Sequence, residues 1–302
     1  MKRLFLAIAL LAPLLSGCGG FEEWERAACA PAKPHHPGVA EITLPSGGIE
    51  RRALLFVPGE YDGTEEYPLV FSWHGYASNA ENHLAYADFR PTAEDGRFFV
   101  VVPQGVGDPT RFNLGAGITG DTDDVQLALD LIDRVGTDLC LDHTRVYSSG
   151  VSNGAGMSAV LACRAPGTFA AIGMDALLLH PEPCDGPTPA VVGMMGDADL
   201  VVPFQGGRVN CCGGWPIAPA GHTMDAWAAQ LHCDGYDDDS VSKHVDRRTW
   251  HGCDDGRQVV YYIVHGGGHT WPGAPDNNPL GPTNQEIDAS EVMWNFFRRY
   301  SL

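Results

Sequence analysis

Val146-Tyr147-Ser148-Ser149-Gly150-Val151-Ser152-Asn153-Gly154-Ala155-Gly156-Met157 decides the fold. A β-type run leads into Gly-x-Ser-x-Gly, and a small-residue helical stretch, Ala155 to Cys163, follows. This is the sequence form of a nucleophile elbow, a sharp strand-to-helix turn that lifts a serine hydroxyl above the end of a sheet. Gly150 and Gly154 suit such a turn because neighbouring backbone must pack closely against both. Ser152 is thus a candidate covalent nucleophile. The pattern alone is also compatible with a glycine-rich surface turn, so its meaning depends on what surrounds it.

Upstream, Ala40 to Leu44 and Glu50 to Pro58 read as an antiparallel pair at a sheet edge, turned by Ser46-Gly47-Gly48. Pro68 to Trp73 is a continuous apolar run, the pattern of a strand buried on both faces. It ends in His74-Gly75-Tyr76, and Asn79 to Phe89 can form a helix. Arg97 to Val102 is a further buried strand, stopped by Pro103, and Gln104 to Gly120 is a loop. Val125 to Ile132 has helical apolar spacing. Asp121, Asp123 and Asp124 before it read as capping residues rather than metal ligands. Downstream, Phe169 to Met174, Ala190 to Met195 and Gln258 to Val264 read as strands. His222 to Leu231 and Glu286 to Tyr300 read as helices, and Asp234 to Asp239 as a solvated acidic turn. Alternating strands and helices without an internal repeat predict one α/β domain with a mostly parallel sheet.

In a parallel sheet the loops after the strands gather at one edge. Three of them are chemically rich and carry, in order, Ser152, Asp199 and His269. Ser…Asp…His is the chain order of α/β-hydrolases. The serine needs a histidine to take its proton, and the histidine needs a carboxylate to hold its tautomer. Among twelve histidines, His269 is best placed, after a strand and a triple-glycine turn. His265 is the runner-up but lies closer to the strand, where a packed residue is expected. Asp197 and Asp199 compete for the carboxylate. Acyl transfer also needs donors for an oxyanion. The N–H of Asn153, after the nucleophile, and that of Tyr76, in the loop after an early strand, are the candidates. His74 is expected to shape that loop.

The formal charge of −19, from 38 acidic and 19 basic residues, excludes a binder of the nucleic-acid backbone, which needs a basic surface. Lys2 and Arg3 followed by Leu4 to Leu15 read as an export signal, too short for a permanent membrane span. Leu15-Ser16-Gly17-Cys18 resembles a lipobox. The expectation is a signal over residues 1–17, lipidation of Cys18, a proline-rich linker over 18–38 and a domain over 39–302, exported and tethered by lipid. Of nine cysteines, those after Cys18 are even in number, which in an exported chain implies disulfides. With no Cys-x-x-Cys pair, Cys211, Cys212, His222 and His232 make only a weak zinc set. No metal or cofactor is expected.

With these residues in place, the chain resembles the secreted esterases that include polyhydroxybutyrate depolymerases, LpqC-type lipoproteins and the feruloyl esterases of carbohydrate esterase family 1. The matching stretches are Trp73-His74-Gly75, Thr122-Asp123-Asp124-Val125, Val146-Tyr147 with Gly150 to Gly154, Gly196 to Pro203, and Gly266 to Gly273. The His269-Thr270-Trp271-Pro272-Gly273 block is far more specific than Gly-x-Ser-x-Gly. The resemblance implies a single-domain α/β-hydrolase fold, a mostly parallel central sheet with flanking helices. It makes Ser152 the nucleophile and His269 the base. It selects Asp199 as the acid through Asp-x-x-Val-Pro, and it implies a Cys233–Cys253 disulfide. Three features depart from it: Tyr76 where a small residue or cysteine is common, Asp197 where threonine is usual, and the Cys211-Cys212 pair.

The expected partner is an ester: a feruloyl or acetyl group on plant polysaccharide, or a hydroxyalkanoate polyester or its oligomers. A serine peptidase on the same fold and a noncatalytic surface binding protein are the rival readings.

Overall fold

A computed structural model of the protein describes residues 26–115, 122–276 and 279–302. The expected export signal, Cys18 and Asp121 lie outside the described residues. A ten-stranded sheet runs β1-β2-β4-β3-β5-β6-β7-β12-β11-β10. Its first edge is antiparallel: β1 (Gly38–Ser46), β2 (Ile49–Val57) and β4 (Phe99–Pro103). The centre is parallel from β4 through β3 (Tyr67–Trp73), β5 (Leu141–Val151), β6 (Ala171–Asp175) and β7 (Ala190–Gly196) to β12 (Val259–Val264). Every residue of β3, β4, β6 and β7 is buried, which is why these strands read as unbroken apolar runs. The far edge is an antiparallel hairpin of β10 (Gly235–Ser242) and β11 (Val245–His251).

Helices cover both faces. On one lie α3 (Asp124–Asp138), α4 (Asn153–Arg164) and α5 (Ala220–Gln230). On the other lie α1 (Ala80–Tyr86), α2 (Arg90–Gly96) and α6 (Ala289–Phe297). Leu127, Leu131 and Val135 of α3 recur at helical spacing and are fully buried in one core. Met293, Trp294 and Phe297 of α6 fill the other. Among the described residues no helix is long and apolar enough to cross a membrane.

Several elements differ from their sequence reading. The helix expected over Asn79 to Phe89 is capped by the Asn79 side chain and ends at Tyr86. A second helix, α2, follows, and Arg97 closes it in the left-handed conformation, so β4 starts only at Phe99. Asp234 to Asp239 is not a turn: from Gly235 onward it is the first part of edge strand β10. Its carboxylates face arginines across the hairpin: Asp238 meets Arg248 at 2.7 and 2.9 Å, and Asp239 meets Arg247 at 2.9 and 2.7 Å. Such charges keep an exposed edge from pairing with other chains. The stretch before residue 38, expected to be a free linker, is fastened to the domain. Ala28 bridges Glu65, and Cys29 is bonded to Cys140 across 111 residues of sequence. A crosslink over so long a loop stabilises the fold by about 4–5 kcal/mol in the chain-entropy account. Cys163–Cys184 and Cys233–Cys253 are also paired, the latter as the family resemblance implies.

Asp123 caps α3 as expected, accepting the Gln126 N–H at 2.9 Å. Asp124 does something else. It is buried, meets Arg51 of β2 at 2.6 Å, and accepts the Asn113 N–H at 2.7 Å. Both side chains of this pair are at most 1% exposed. Removing one charge strands the other in a dry interior. We expect Asp124→Asn to lose about 3–5 kcal/mol of stability, read as a lower urea midpoint. The double change Arg51→Met/Asp124→Leu should recover most of that loss.

Candidate active site

Ser152 stands between β5 and α4 with φ 55° and ψ −119°. This non-glycine left-handed conformation is held by its surroundings. The Ser152 N–H donates to the Asp175 carbonyl at 2.8 Å. A methyl group at Gly154 would drive into the Trp73 carbonyl, and one at Gly150 would meet that same oxygen at 2.8 Å. The end of β3, the end of β5 and the first turn of α4 are therefore in backbone contact, and only glycine fits there.

His269 lies after β12, and Asp199 after β7. The His269 Nδ1 lies 2.7 Å from the Asp199 Oδ2, and both residues are buried. The other oxygen of Asp199 accepts N–H groups from Val201 at 2.7 Å and Val202 at 2.9 Å. The carboxylate therefore cannot rotate without losing three partners. Its contact with Nδ1 places the hydrogen on that nitrogen and leaves Nε2 with a lone pair. The loops are drawn together by contact of Gly196 with the Gly267 backbone. Ser152 and His269 then line the same depression, about 760 Å³, with Gly75, Tyr76 and Tyr86.

The other sequence candidates separate cleanly. Asp197 turns away from His269: its Oδ2 lies 2.8 Å from the His265 Nδ1, and its Oδ1 accepts the Gly266 N–H. His265 is not packed. It is exposed, and its Nε2 meets Asp246 at 2.9 Å. Its hydrogen bonds to Asp246 and Asp197 raise its pKa above the ordinary histidine value. His74 is fully buried and shapes the loop after β3. Its Nε2 accepts the Gly105 N–H at 2.9 Å, so Nδ1 carries the hydrogen and donates to the Gly75 carbonyl at 2.7 Å. Burial lowers its pKa, and both ring nitrogens are occupied. Tyr76, next along, borders Ser152 together with Asn153. The Asn153 amide ties down the loop over the site, exchanging bonds of 2.8 and 3.1 Å with the Phe112 backbone. Cys211 and Cys212 are bonded to each other, and no cluster of three or more metal-ligating side chains occurs among the described residues.

One site residue escaped the sequence reading. Asp175 ends β6 and is fully buried, with its Oδ2 unpartnered. Burial, and next the charge of Asp199, raise its pKa well above the ordinary 3.8. A lone carboxyl beside a charged one takes the neutral form. The signal available was an aspartate ending an otherwise apolar strand-like run, Ala170 to Asp175.

Two stability outcomes follow. Gly154→Ala should cost about 3 kcal/mol or more, since backbone must move to admit the methyl group. Gly221→Ala, whose methyl meets nothing within 4 Å inside α5, should be neutral or stabilising by up to about 1 kcal/mol; paired thermal melts check both. Asp175 binds its proton more tightly folded than unfolded, so its contribution to stability is lost as pH rises from about 4 through the raised folded value. Asp175→Asn cannot ionise. Its stability relative to the parent should therefore rise between pH 4 and pH 8 in denaturant titrations, whereas a constant difference would place a charged carboxylate at residue 175.

Residues 52–185 match the family model for esterase PHB depolymerases. The chain is 26% identical over 263 residues to feruloyl esterase B of Piromyces equi, covering 83% of this chain. This chain spans only 46% of that protein's length. It is 26% identical over 279 residues to feruloyl esterase D of Neurospora crassa, covering 86% of both. An acetyl xylan esterase from Aspergillus awamori superposes with a TM-score of 0.63 over 86% of this chain and 99% of its own, at 14% identity, a likeness of fold. Over residues 52–185 the chain is thus similar to the esterase PHB depolymerases, and it is a carboxylic ester hydrolase with the α/β-hydrolase fold.

Proposed function

We propose that the protein hydrolyses esters through Ser152, His269 and Asp199. The observation that carries this reading is the buried 2.7 Å contact between His269 and an Asp199 already held by two N–H groups, beside a serine raised on a strained turn. In this mechanism the His269 Nε2 takes the proton of Ser152 as its oxygen attacks the ester carbonyl. The N–H groups of Tyr76 and Asn153 receive the oxyanion. His269 then returns its proton to the leaving alcohol. Water attacks the acyl-enzyme by the same steps in reverse. Asp199 stabilises the imidazolium that forms twice in each cycle.

The substrate we infer is a feruloyl or acetyl ester of plant polysaccharide, with hydroxyalkanoate esters as the second candidate. A relative named feruloyl esterase D, matched over 86% of its own length, supports the first. We further infer export, with Cys18 as the lipid attachment point and residues 1–17 as the removed signal. Four disulfides within one domain support an oxidising destination.

Turnover of methyl ferulate, acetylated xylan and hydroxybutyrate oligomers tests this reading. We expect Ser152→Ala to lower kcat on every accepted ester by about 10⁴-fold or more, and Asp199→Asn by about 10⁴-fold. A Ser152→Ala protein that retains wild-type turnover would sink the mechanism.

A further inference from the structure

Two depressions meet at Ser152, and they differ in chemistry. One contains His269 and is edged by Ser78, Asn82 and Tyr86, whose polar groups suit an alcohol bearing hydroxyls. The other, narrow and partly open to solvent, contains Tyr76 and Asn153 but not His269. Its depth is wholly apolar: Leu114, Leu177, Val202 and Val209 are all buried. Its outer side is formed by Trp215 and the disulfide joining the adjacent residues Cys211 and Cys212. None of the motifs behind the proposed mechanism includes that pair.

The chemistry of the ester assigns the two depressions. A general acid must reach the leaving oxygen, so the alcohol lies beside His269. With the carbonyl oxygen directed at the N–H groups of Tyr76 and Asn153, the acyl group is left to extend into the depression that lacks His269. A planar aromatic acyl group has the thin profile that a narrow apolar depression admits, and Trp215 and the sulfurs at its outer side offer the contacts that rings and polarisable sulfur favour.

We propose that the Cys211–Cys212 disulfide, with Trp215, is the outer wall of the acyl pocket and sets the preference for aromatic over short aliphatic acyl groups. The proposal rests on the Ser152–His269–Asp199 reading above. The disulfide sits at the tip of a small hairpin, β8 (Gly207–Arg208) paired with β9 (Pro216–Ile217). Closing adjacent side chains into one ring with the peptide between them removes their rotamer freedom. This stiffens a tip that continues into Gly213 and Gly214, both at positive φ. The hairpin is itself bonded to the Asp199 loop. The Asn210 N–H donates to the Val201 carbonyl, and its side-chain amide to the Leu200 carbonyl, each at 2.7 Å.

Methyl ferulate and methyl acetate share an alcohol and differ only in the acyl group, so their relative kcat/KM isolates this wall. In Cys211→Ala/Cys212→Ala, and separately in Trp215→Ala, the ferulate-to-acetate ratio should fall about tenfold or more, through a raised KM for ferulate. A hairpin that merely propped up the Asp199 loop would instead lower kcat on both esters alike. That result, or an unchanged ratio in both variants, overturns the proposal. If the cysteine variant does not fold, Trp215→Ala decides. Wild-type protein that cleaves neither ester, or Ser152→Ala protein that cleaves both, would reject the catalytic reading itself and this inference with it.

Discussion

The absence of space around Gly150 and Gly154 governs the rest of the architecture. Because the Trp73 carbonyl presses on both positions, β3, β5 and α4 meet at backbone distance, and Ser152 is forced to φ 55°. A serine in that conformation is unfavourable alone and persists only where its neighbours leave no alternative. The same contact sets the spacing of the loop after β3. Gly75 and Tyr76 come to lie against Ser152 because Trp73, two residues earlier, is in the contact. His74 then locks the loop by accepting from Gly105 and donating to Gly75, so burial of this histidine costs no unpaired nitrogen. One steric constraint thus fixes both the proposed nucleophile and a proposed oxyanion donor.

Around this point the electrostatics are divided between two carboxyl groups. Asp199 has a histidine on one oxygen and two N–H groups on the other, so its charge is compensated within the protein. Asp175 has the opposite environment: it is buried with one oxygen unpartnered, and its pKa is raised by burial and by the charge of Asp199. A second anion there would repel the first. Keeping Asp175 neutral leaves the field at His269 to a single carboxylate. Away from the site, the surplus of acid over base recedes into local pairs, such as Asp238 with Arg248 and Asp239 with Arg247. Each of these contributes about 1 kcal/mol at most at an exposed edge.

What the sequence made legible was whatever a short stretch determines. Buried parallel strands show as apolar runs, the elbow as Gly-x-Ser-x-Gly, and the convergence of Ser152, Asp199 and His269 follows from parallel strands ending at one edge. Pairings between distant residues were not legible. Asp234 to Asp239 has no hydrophobic alternation, and it is the pairing of Gly235 onward with β11, where Arg247 and Arg248 meet Asp239 and Asp238, that makes it a strand. Asp124 stands beside a true cap, Asp123, and nothing local distinguishes a cap from the buried partner of Arg51, 73 residues away. The segment around Cys29 has a linker's composition, yet Cys140 holds it to the domain.

The depression beside Ser152 extends that argument from folding to specificity. Its walls come from the loop before α3, the loop after β6, the Asp199 loop and the β8–β9 hairpin tip, segments no periodicity connects. The proposed triad can be read from the order of three residues because the sheet fixes their relative places. A binding surface assembled from loops has no such frame, and its residues are free to be any that fit together. The Asn210 bonds to Leu200 and Val201 supply the missing frame here. They attach the hairpin that carries Trp215 and the disulfide to the segment whose N–H groups hold Asp199. Substitutions at Cys211, Cys212 and Trp215 can therefore alter the shape of the depression while Asn210, on the segment leading to them, stays bonded to the Asp199 loop.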